Sequence, residues 1–185
     1  VLIGFMGCYA AVTALRTARH ITRSQESARV LVVTVELSTL HHQERMDIEP
    51  LLMGAQFGDG AAAAIVSSQG EGLRLSEGIS AALPDSGDLI TWHIGDTGFN
   101  MRLSGEVPGR IVAALGDPAV RERVLGGAEV DAFDAWAVHA GGRSILDAVE
   151  KGFALSPTAL DASRAVLRNC GNMSSSTLMF VLARL

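Results

Sequence analysis

Apolar residues in this chain fall into short continuous runs and into runs with helical spacing. Val1–Gly7 is an apolar run that ends at glycine, and residues 10–21 then place small apolar side chains at helical spacing. Residues 29–37 are apolar almost without interruption, which predicts a strand covered on both faces, as in a parallel sheet between helices. The order strand, helix, strand predicts an α/β fold.

The middle of the chain is less regular. A Gly-Asp-Gly turn at residues 58–60 precedes another predicted strand, residues 61–66, and we interpret Asp59 as a structural turn residue. Glycine and charge replace apolar residues at 69–72. We therefore divide the chain into two parts, residues 1–70 and residues 71–185.

The second part begins with strand patterns and continues with helices. Residues 73–80 alternate in part, as an exposed strand does, and residues 89–103 predict a strand pair with turns at Gly95-Asp96 and Thr97-Gly98. Pro108 predicts the first turn of a helix that runs to about Leu115.

The last third contains a predicted buried strand, residues 132–138, that runs directly into His139. A polar residue at the end of a strand lies where α/β sheets usually bind ligands. Helices are predicted over residues 143–153, 157–167 and 177–185, the last of them capped by residues 172–176.

Composition excludes several classes of function. The chain has 185 residues, of which 48% are hydrophobic, and a net charge of −5. This balance predicts a folded domain and gives no basic footprint for nucleic acid. No run approaches the roughly 18 apolar residues of a membrane span, and no targeting segment is recognisable, so we expect no membrane partner and a cytoplasmic location.

Metal and disulfide chemistry are also not expected. Cys8 and Cys170 are too far apart for a metal knuckle and too few for a disulfide framework. His41, His42 and Glu44 are metal-ligating residue types, but adjacent histidines point in different directions and no third ligand has a recognisable spacing. We predict no metal site.

Three residues at the ends of predicted elements carry the candidate chemistry. Cys8 follows Gly7 where a strand passes into a helix, and free N–H groups and the positive end of the helix dipole there favour a thiolate. His139 ends a strand, and Asn172 precedes a helix. Taken singly, a buried inert cysteine, a core histidine and a capping asparagine remain alternatives. Together they supply a nucleophile, an imidazole and an amide donor, which is a set suited to acyl transfer.

Several segments, in order along the chain, resemble the type III polyketide synthases of the chalcone and stilbene synthase kind, within the thiolase superfamily, and in particular bacterial members. Ala140 stands where the family usually has proline, and Ala11 and Val12 stand where it has glycines. The matching segments are residues 7–10 (GCYA), 56–62 (QFGDGAA), 92–96 (WHIGD) with 98–99 (GF), 107–109 (VPG), 139–142 (HAGG) and 171–175 (GNMSS).

The resemblance implies the layered αβαβα fold of thiolases, of which this chain would hold roughly the middle half. The N-terminal portion, with the residues that hold the CoA phosphates, and a C-terminal glycine-rich portion would be missing, so no CoA-binding residues are assigned. It also implies a homodimer for the complete enzyme. We expect this polypeptide to be inactive or poorly soluble when it is expressed alone.

The resemblance further implies an acyltransferase with a triad of Cys8, His139 and Asn172. The cysteine would take a starter acyl group from a CoA thioester, and His139 would hold it as a thiolate through an imidazolium pair. Malonyl-CoA would lose carbon dioxide, and His139 and Asn172 would donate to the enolate oxygen. The enolate would then attack the bound acyl group, in repeated rounds that end in a chalcone-, stilbene-, resorcinol- or pyrone-type product. CoA thioesters are substrates here, and no tightly bound cofactor is implied.

Four further residues are assigned to the substrate cavity by the same resemblance. Phe57 and Phe99 match the phenylalanines that gate the CoA tunnel, although large aromatic residues also serve as ordinary core. Ile90 falls near a cavity position that is glycine in plant chalcone synthases, and Ser174 lies within the asparagine motif, residues 171–175. Residues 38–45, including His41, align only loosely with a cavity-lining segment, and their role is open.

Three other functions remain possible at this stage. The chain-initiating β-ketoacyl-ACP synthase of fatty-acid synthesis uses the same residue types in the same order, but residues 171–175 and 92–96 favour the polyketide synthase. A papain-like cysteine hydrolase also has Cys, His and Asn in this order, and the predicted parallel strands argue against it. The third is an inactive thiolase-like fragment that binds acyl groups or dimerises.

Overall fold

A computed structural model of the protein describes residues 1–43, 48, 51, 54–96 and 98–185. Strands and helices are mixed along the chain, in agreement with the predicted α/β class. The strands are β1 (Arg29–Glu36), β2 (Gly60–Ser67), β3 (Ile90–Gly95) and β4 (Gly98–Leu103). The helices are α1 (Ala10–Ser24), α2 (Val107–Gly116), α3 (Pro118–Leu125), α4 (Arg143–Phe153), α5 (Asp161–Cys170) and α6 (Ser175–Leu182).

Helix α1 begins directly after the short 3-10 turn Gly7–Tyr9, which contains Cys8. Ala11 and Ala18 are fully buried, and these small side chains let α1 pack against β1, β2 and α6. The predicted helix is confirmed, but the predicted strand Val1–Gly7 is wrong. Its side chains are almost entirely exposed, and no strand of the described residues forms a ladder with it, so the apolar run has no partner to pair with.

Strands β1 and β2 pair antiparallel, with Arg29 opposite Ser67 and Glu36 opposite Gly60. Both strands were predicted, but the parallel sheet with two covered faces is wrong. Burial alternates along β1, because successive side chains of a strand point to opposite faces. One face packs on α1 and α6, whereas Leu31, Val33 and Val35 on the other face are 63%, 57% and 58% exposed.

The start of β2 lies against the loop that contains Asn172. The amide of Gly58 donates to the Asn172 carbonyl over 3.0 Å, and the Asn172 amide donates to the Gln56 carbonyl over 2.9 Å. A Cβ atom on Gly58 would lie 2.4 Å from the Cys170 carbonyl oxygen, and one on Gly60 would lie 2.4 Å from the Met173 sulfur. The two glycines therefore do more than turn the chain, because Gly58 lets two backbone segments touch and Gly60 leaves room for the Met173 side chain.

Replacing Gly58 by alanine should lower the free energy of unfolding by about 1–3 kcal/mol, because the new methyl group meets a backbone carbonyl that cannot rotate away. Chemical denaturation measures the change. Gly105→Ala is the matched control, since a Cβ atom on Gly105 would meet nothing within 4 Å. Equal stability of the two variants would contradict the close approach.

Strands β3 and β4 form the predicted hairpin, with Ile90 opposite Leu103 and Gly95 opposite Gly98. Thr97, in the predicted turn, lies outside the described residues. The strand predicted at residues 73–80 is wrong. Instead of pairing with a strand, this segment lies along α1, where the Arg19 side chain donates to the Leu75 carbonyl over 3.0 Å.

The helices of the second part follow the predictions more closely than its strands do. Helix α2 has proline in its first turn as predicted, and α4 and α6 are also confirmed. Helix α5 begins at Asp161, later than predicted. Helix α3 was missed, although its start and end carry ordinary signals. The Asp117 side chain accepts from the amides of Ala119 and Val120, and Gly126 ends the helix in a left-handed conformation.

The strand predicted at residues 132–138 is also wrong. The short 3-10 turn Val130–Ala132 is followed by extended chain without a ladder, and the Val138 amide donates to the Ser163 hydroxyl of α5 over 3.2 Å. This extended chain still reaches the core between α4 and α5, where Ala140, Leu146 and Leu160 are fully buried. His139 is therefore delivered to the interior by packing rather than by a sheet. Within the described ranges, no helix has both the length and the apolar character needed to cross a membrane.

Candidate active site

Cys8 and Asn172 come together where the turn Gly7–Tyr9 meets the start of α6. The Cys8 side chain is partly buried, and hydrogen bonding from the Ser174 and Asn172 side chains acts to lower the pKa of its thiol. Ser174 is a non-glycine residue at φ +48°, a conformation that L-residues rarely adopt. The structure thus places three of the predicted site residues in one cluster.

The Asn172 side chain is held in one orientation by its neighbours. Its Oδ1 atom accepts from the Ser174 amide over 2.9 Å and from the Thr177 hydroxyl over 3.3 Å. Its Nδ2 atom donates to the Gly141 carbonyl over 3.1 Å. The residue that caps α6 is Ser174, without a side-chain capping bond, so the predicted capping role of Asn172 is wrong. Asn172 is only 3% exposed, and these bonds make its side chain a fixed donor near the thiol.

His139 reaches the same place through Gly141. A Cβ atom on Gly141 would lie 3.3 Å from the Cδ2 and Nε2 atoms of the His139 ring, so the absent side chain leaves room for the imidazole. Both ring nitrogens are buried and have no hydrogen-bond partner among the described residues. A buried polar atom without a partner calls for an explanation, and a substrate group is a natural one.

Burial lowers the pKa of His139 to about 4, so the ring is neutral at neutral pH. The pKa of the Cys8 thiol is raised, first by its burial and also by the charge of Glu36, and the Ser174 and Asn172 hydrogen bonds only partly offset this. Both pKa directions favour the neutral forms of Cys8 and His139 over the expected imidazolium and thiolate pair, because burial disfavours a charge on either group.

Acidification should destabilise the protein through His139. The unfolded side chain binds a proton below about pH 6.5, and the folded one only below about pH 4, so stability is complete above the first value and falls across this window. The loss is about 3 kcal/mol at the acid end, from 1.36 kcal/mol per pKa unit. Urea unfolding of the wild type and of His139→Gln isolates this term as the difference between the two pH profiles. Parallel profiles would contradict the burial of a neutral imidazole.

Glu36 is a member of the site that sequence reasoning missed. It ends β1, and its carboxylate accepts from the Ser175 amide over 3.3 Å and from the Ser175 hydroxyl. These bonds fix the first turn of α6 to the sheet. The sequence feature that could have indicated Glu36 is its position as a charged residue at the end of an otherwise apolar strand.

Replacing Glu36 by glutamine should lower the pKa of the Cys8 thiol, because it removes a negative charge that opposes thiolate formation. The glutamine carbonyl can still accept from Ser175, so the helix start should remain in place. The rate of alkylation by iodoacetamide as a function of pH reports the shift, in a Cys170→Ala background that leaves one thiol. A pKa that stays the same or rises would contradict the assignment.

The two gate candidates lie in different surroundings. Phe57 pairs through its backbone with Asn172 in an isolated parallel bridge, next to the cluster. Phe99 lies on β4 and makes edge-to-face ring contacts with His41, at 5.3 Å, and with Trp92, at 5.6 Å between centroids. Ring contacts among the described residues do not join the two phenylalanines. Ile90 is half exposed at the start of β3, opposite Leu103.

The part of the chain that the structure describes contains no group of three His, Cys, Asp or Glu side chains that could hold a metal ion. His41 and His42 are described, and His41 belongs to the 3-10 turn Ser38–His41. Glu44 lies outside the described residues.

Comparison with known families assigns the chain. The family described as chalcone and stilbene synthases, N-terminal domain, matches residues 1–70, and the C-terminal domain of the same family matches residues 74–185. The chain belongs to the chalcone and stilbene synthase family. The family that the short motifs around Cys8, His139 and Asn172 predicted is thereby confirmed.

Solved structures of type III polyketide synthases are similar to this family member along its whole length. 1,3,6,8-Tetrahydroxynaphthalene synthase from Streptomyces coelicolor A3(2) is 33% identical with a TM-score of 0.88, and the match covers 99% of this chain and 53% of that one. PKS-I from the brown alga Ectocarpus siliculosus is 32% identical with a TM-score of 0.86, over 100% and 50%. The C-terminal type III domain of Steely1 from Dictyostelium is 26% identical with a TM-score of 0.82, over 97% and 52%.

These matches show the thiolase-like fold over the matched part. The chain spans about half the length of the solved structures it matches. The layered αβαβα arrangement is accordingly represented in part, by a sheet with α1 and α6 on one face and by the packed helices α4 and α5.

Proposed function

We propose that the protein carries Cys8 as the acyl-bearing nucleophile of a type III polyketide synthase. The observation that supports this most directly is a partly buried thiol near the fixed Asn172 amide, with an imidazole against the same Gly141 whose nitrogens have no partner among the described residues. Membership of the chalcone and stilbene synthase family supports the reaction class. The proposed substrates are a starter acyl-CoA and malonyl-CoA, without a tightly bound cofactor. We also propose a cytoplasmic homodimer.

The first proposed step loads the starter acyl group. The Cys8 sulfur attacks the carbonyl carbon of the acyl-CoA, a new thioester bond forms, and the CoA sulfur leaves. The thiol proton passes to His139, which is neutral and therefore able to accept it, and then to the departing CoA thiolate. A neutral thiol and a neutral imidazole can thus start the reaction without a standing ion pair.

The second proposed step forms the carbon–carbon bond. Malonyl-CoA loses carbon dioxide, and the bonding electrons move to the thioester oxygen as an enolate. The Asn172 amide and a ring N–H of His139 stabilise that oxygen, since donors fixed in advance act strongly in a buried site. The enolate carbon attacks the Cys8 thioester, and the cysteine sulfur leaves. Return of the longer acyl chain to Cys8 permits another round.

Two assays test this function in the protein as its gene encodes it. Incubation with a series of acyl-CoA starters and intact mass measurement should give an adduct on Cys8. Labelled malonyl-CoA should then be converted into extended products, whereas malonyl-ACP should not. Preference for malonyl-ACP would instead identify a chain-initiating β-ketoacyl-ACP synthase, and absence of any adduct would leave an inactive thiolase-like protein.

A further inference from the structure

Asp59 is bonded to the turn Ser38–His41 through both of its carboxylate oxygens. Oδ1 accepts from the Thr39 amide over 2.9 Å, and Oδ2 accepts from the Thr39 hydroxyl over 2.6 Å. These bonds lower the pKa of the Asp59 carboxyl, so it is ionised at neutral pH. Asp59 stands between Gly58 and Gly60, whose backbone is pressed against the loop of residues 170–173. The Asp59–Thr39 contact therefore begins at backbone that packs against the candidate site.

The other end of the contact reaches Phe99. The ring of His41, two residues after Thr39, stands edge-on to the Phe99 ring at an interplanar angle of 76°. Gln43 donates from Nε2 to the Phe99 carbonyl over 3.1 Å. That amide also fills the space beside Gly98, where a Cβ atom would lie 2.6 Å from it. Residues 38–43 thus hold Phe99 by its ring and by its backbone.

We propose that Asp59 is a positioning residue that fixes residues 38–43 and thereby sets the place of Phe99 relative to Cys8 and Asn172. The argument is geometric. Phe57, Gly58 and Asp59 are consecutive, so the backbone that pairs with Asn172 is the backbone that presents the carboxylate to Thr39. The hairpin that carries Phe99 is connected to residues 57–59 through Thr39, His41 and Gln43. The sequence interpretation of Asp59 as a structural turn residue misses this link.

The effect on catalysis rests on the proposed function, because a displaced Phe99 alters the space open to the growing acyl chain. Loading of the starter on Cys8 requires only the cluster at α6 and should change little. Asp59 should therefore affect the distribution of product lengths and the KM for malonyl-CoA more than it affects acylation. Asp59→Ala removes both bonds to Thr39, but their loss reaches Phe99 only through His41 and Gln43. We therefore expect an effect equivalent to about one hydrogen bond, 0.5–1.5 kcal/mol, which corresponds to a change of about 2- to 10-fold.

The test uses Asp59→Ala, Asp59→Asn and the control Asp134→Ala, which alters an exposed aspartate in a bend far along the chain. Asparagine retains a carbonyl that can accept from the Thr39 amide, and its NH2 group can donate to the Thr39 hydroxyl. We expect Asp59→Ala to change the product ratio and the KM for malonyl-CoA by about 2- to 10-fold, with the acylation rate preserved and with rescue in Asp59→Asn. An unchanged product ratio in an active Asp59→Ala protein overturns the proposal, whatever its melting temperature.

A second readout needs no activity. Trp92 contacts Phe99, and in a Trp136→Phe background it is the remaining tryptophan of this chain. Asp59→Ala should shift its emission to the red and increase quenching by acrylamide, whereas Asp59→Asn and Asp134→Ala should not. If the wild type forms no acyl adduct, the proposed function fails, and the Trp92 emission alone tests the positioning role of Asp59. A shift confined to Asp59→Ala then supports the positioning role, and identical spectra overturn it.

Discussion

Replacing Cys8 by alanine is expected to abolish the acyl adduct and to reduce product formation by about 10⁴-fold or more, as is usual when a covalent nucleophile is removed. The thiol is the attacking atom and the carrier of the chain in every proposed step. The Ser174 hydroxyl and the Asn172 amide cannot replace it, since both are much weaker nucleophiles than a thiol. The fold should survive, because alanine leaves only a small gap at the first turn before α1.

Intact mass after incubation with acyl-CoA measures the adduct, and product yield from labelled malonyl-CoA measures turnover. Cys170→Ala is the matched control, because Cys170 is the second free cysteine and is also partly buried. It should retain both the adduct and the turnover. An adduct that persists in Cys8→Ala and disappears in Cys170→Ala would show that Cys170 carries the acyl group, and it would overturn the proposed mechanism.

Replacing Asn172 by aspartate is expected to lower kcat by about 10²–10³-fold, the usual cost of losing one fixed oxyanion donor. The shape of the side chain is unchanged, but the carboxylate has no N–H for the thiol or for the Gly141 carbonyl. A new negative charge also opposes formation of an enolate. The free energy of unfolding should fall by about 1–3 kcal/mol, because the Gly141 carbonyl loses its partner inside the protein.

Thr177→Val separates the structural part of this effect from the chemical part. It removes the hydroxyl that donates to Asn172 Oδ1 and accepts from the Met173 amide, and it leaves the Asn172 donor in place. It should reduce stability with less than about a tenfold change in kcat, in keeping with an indirect role. Comparable kcat values for Asn172→Asp and wild type would contradict the donor role, and an equal loss in Thr177→Val would reduce Asn172 to a structural residue.

The elements that could be predicted from sequence are those whose signals are local. Proline in the first turn, small residues at helical spacing and the glycines of the β3–β4 turn each act within a few residues, and the corresponding helices and hairpin are found. The apolar runs Val1–Gly7 and 132–138 were misjudged for a different reason. Apolarity predicts contact with other atoms, whereas a strand also requires a neighbouring ladder, which no pattern within the run can specify.

The candidate site was predictable as a set of residues but not as an electrostatic environment. Cys8 and Asn172 each follow a glycine, and His139 ends an apolar run, which are features visible in the sequence. Glu36, in contrast, reaches Cys8 only because β1 ends beside α6. The directions of the Cys8 and His139 pKa shifts follow from burial by distant parts of the chain, so the local helix-end argument gave the opposite sign for the thiol.

The backbone of Ser174 has a consequence for how this site can change over time. A glycine at this position would relieve an unfavourable φ of +48°, and a residue held in such a conformation costs of order 1–3 kcal/mol. The same exchange would remove the hydroxyl that lowers the pKa of the Cys8 thiol. Selection for thermal resistance alone would favour glycine, and selection for a reactive thiol would favour serine. Serine at position 174 therefore combines a strained backbone with a hydroxyl that favours the thiolate.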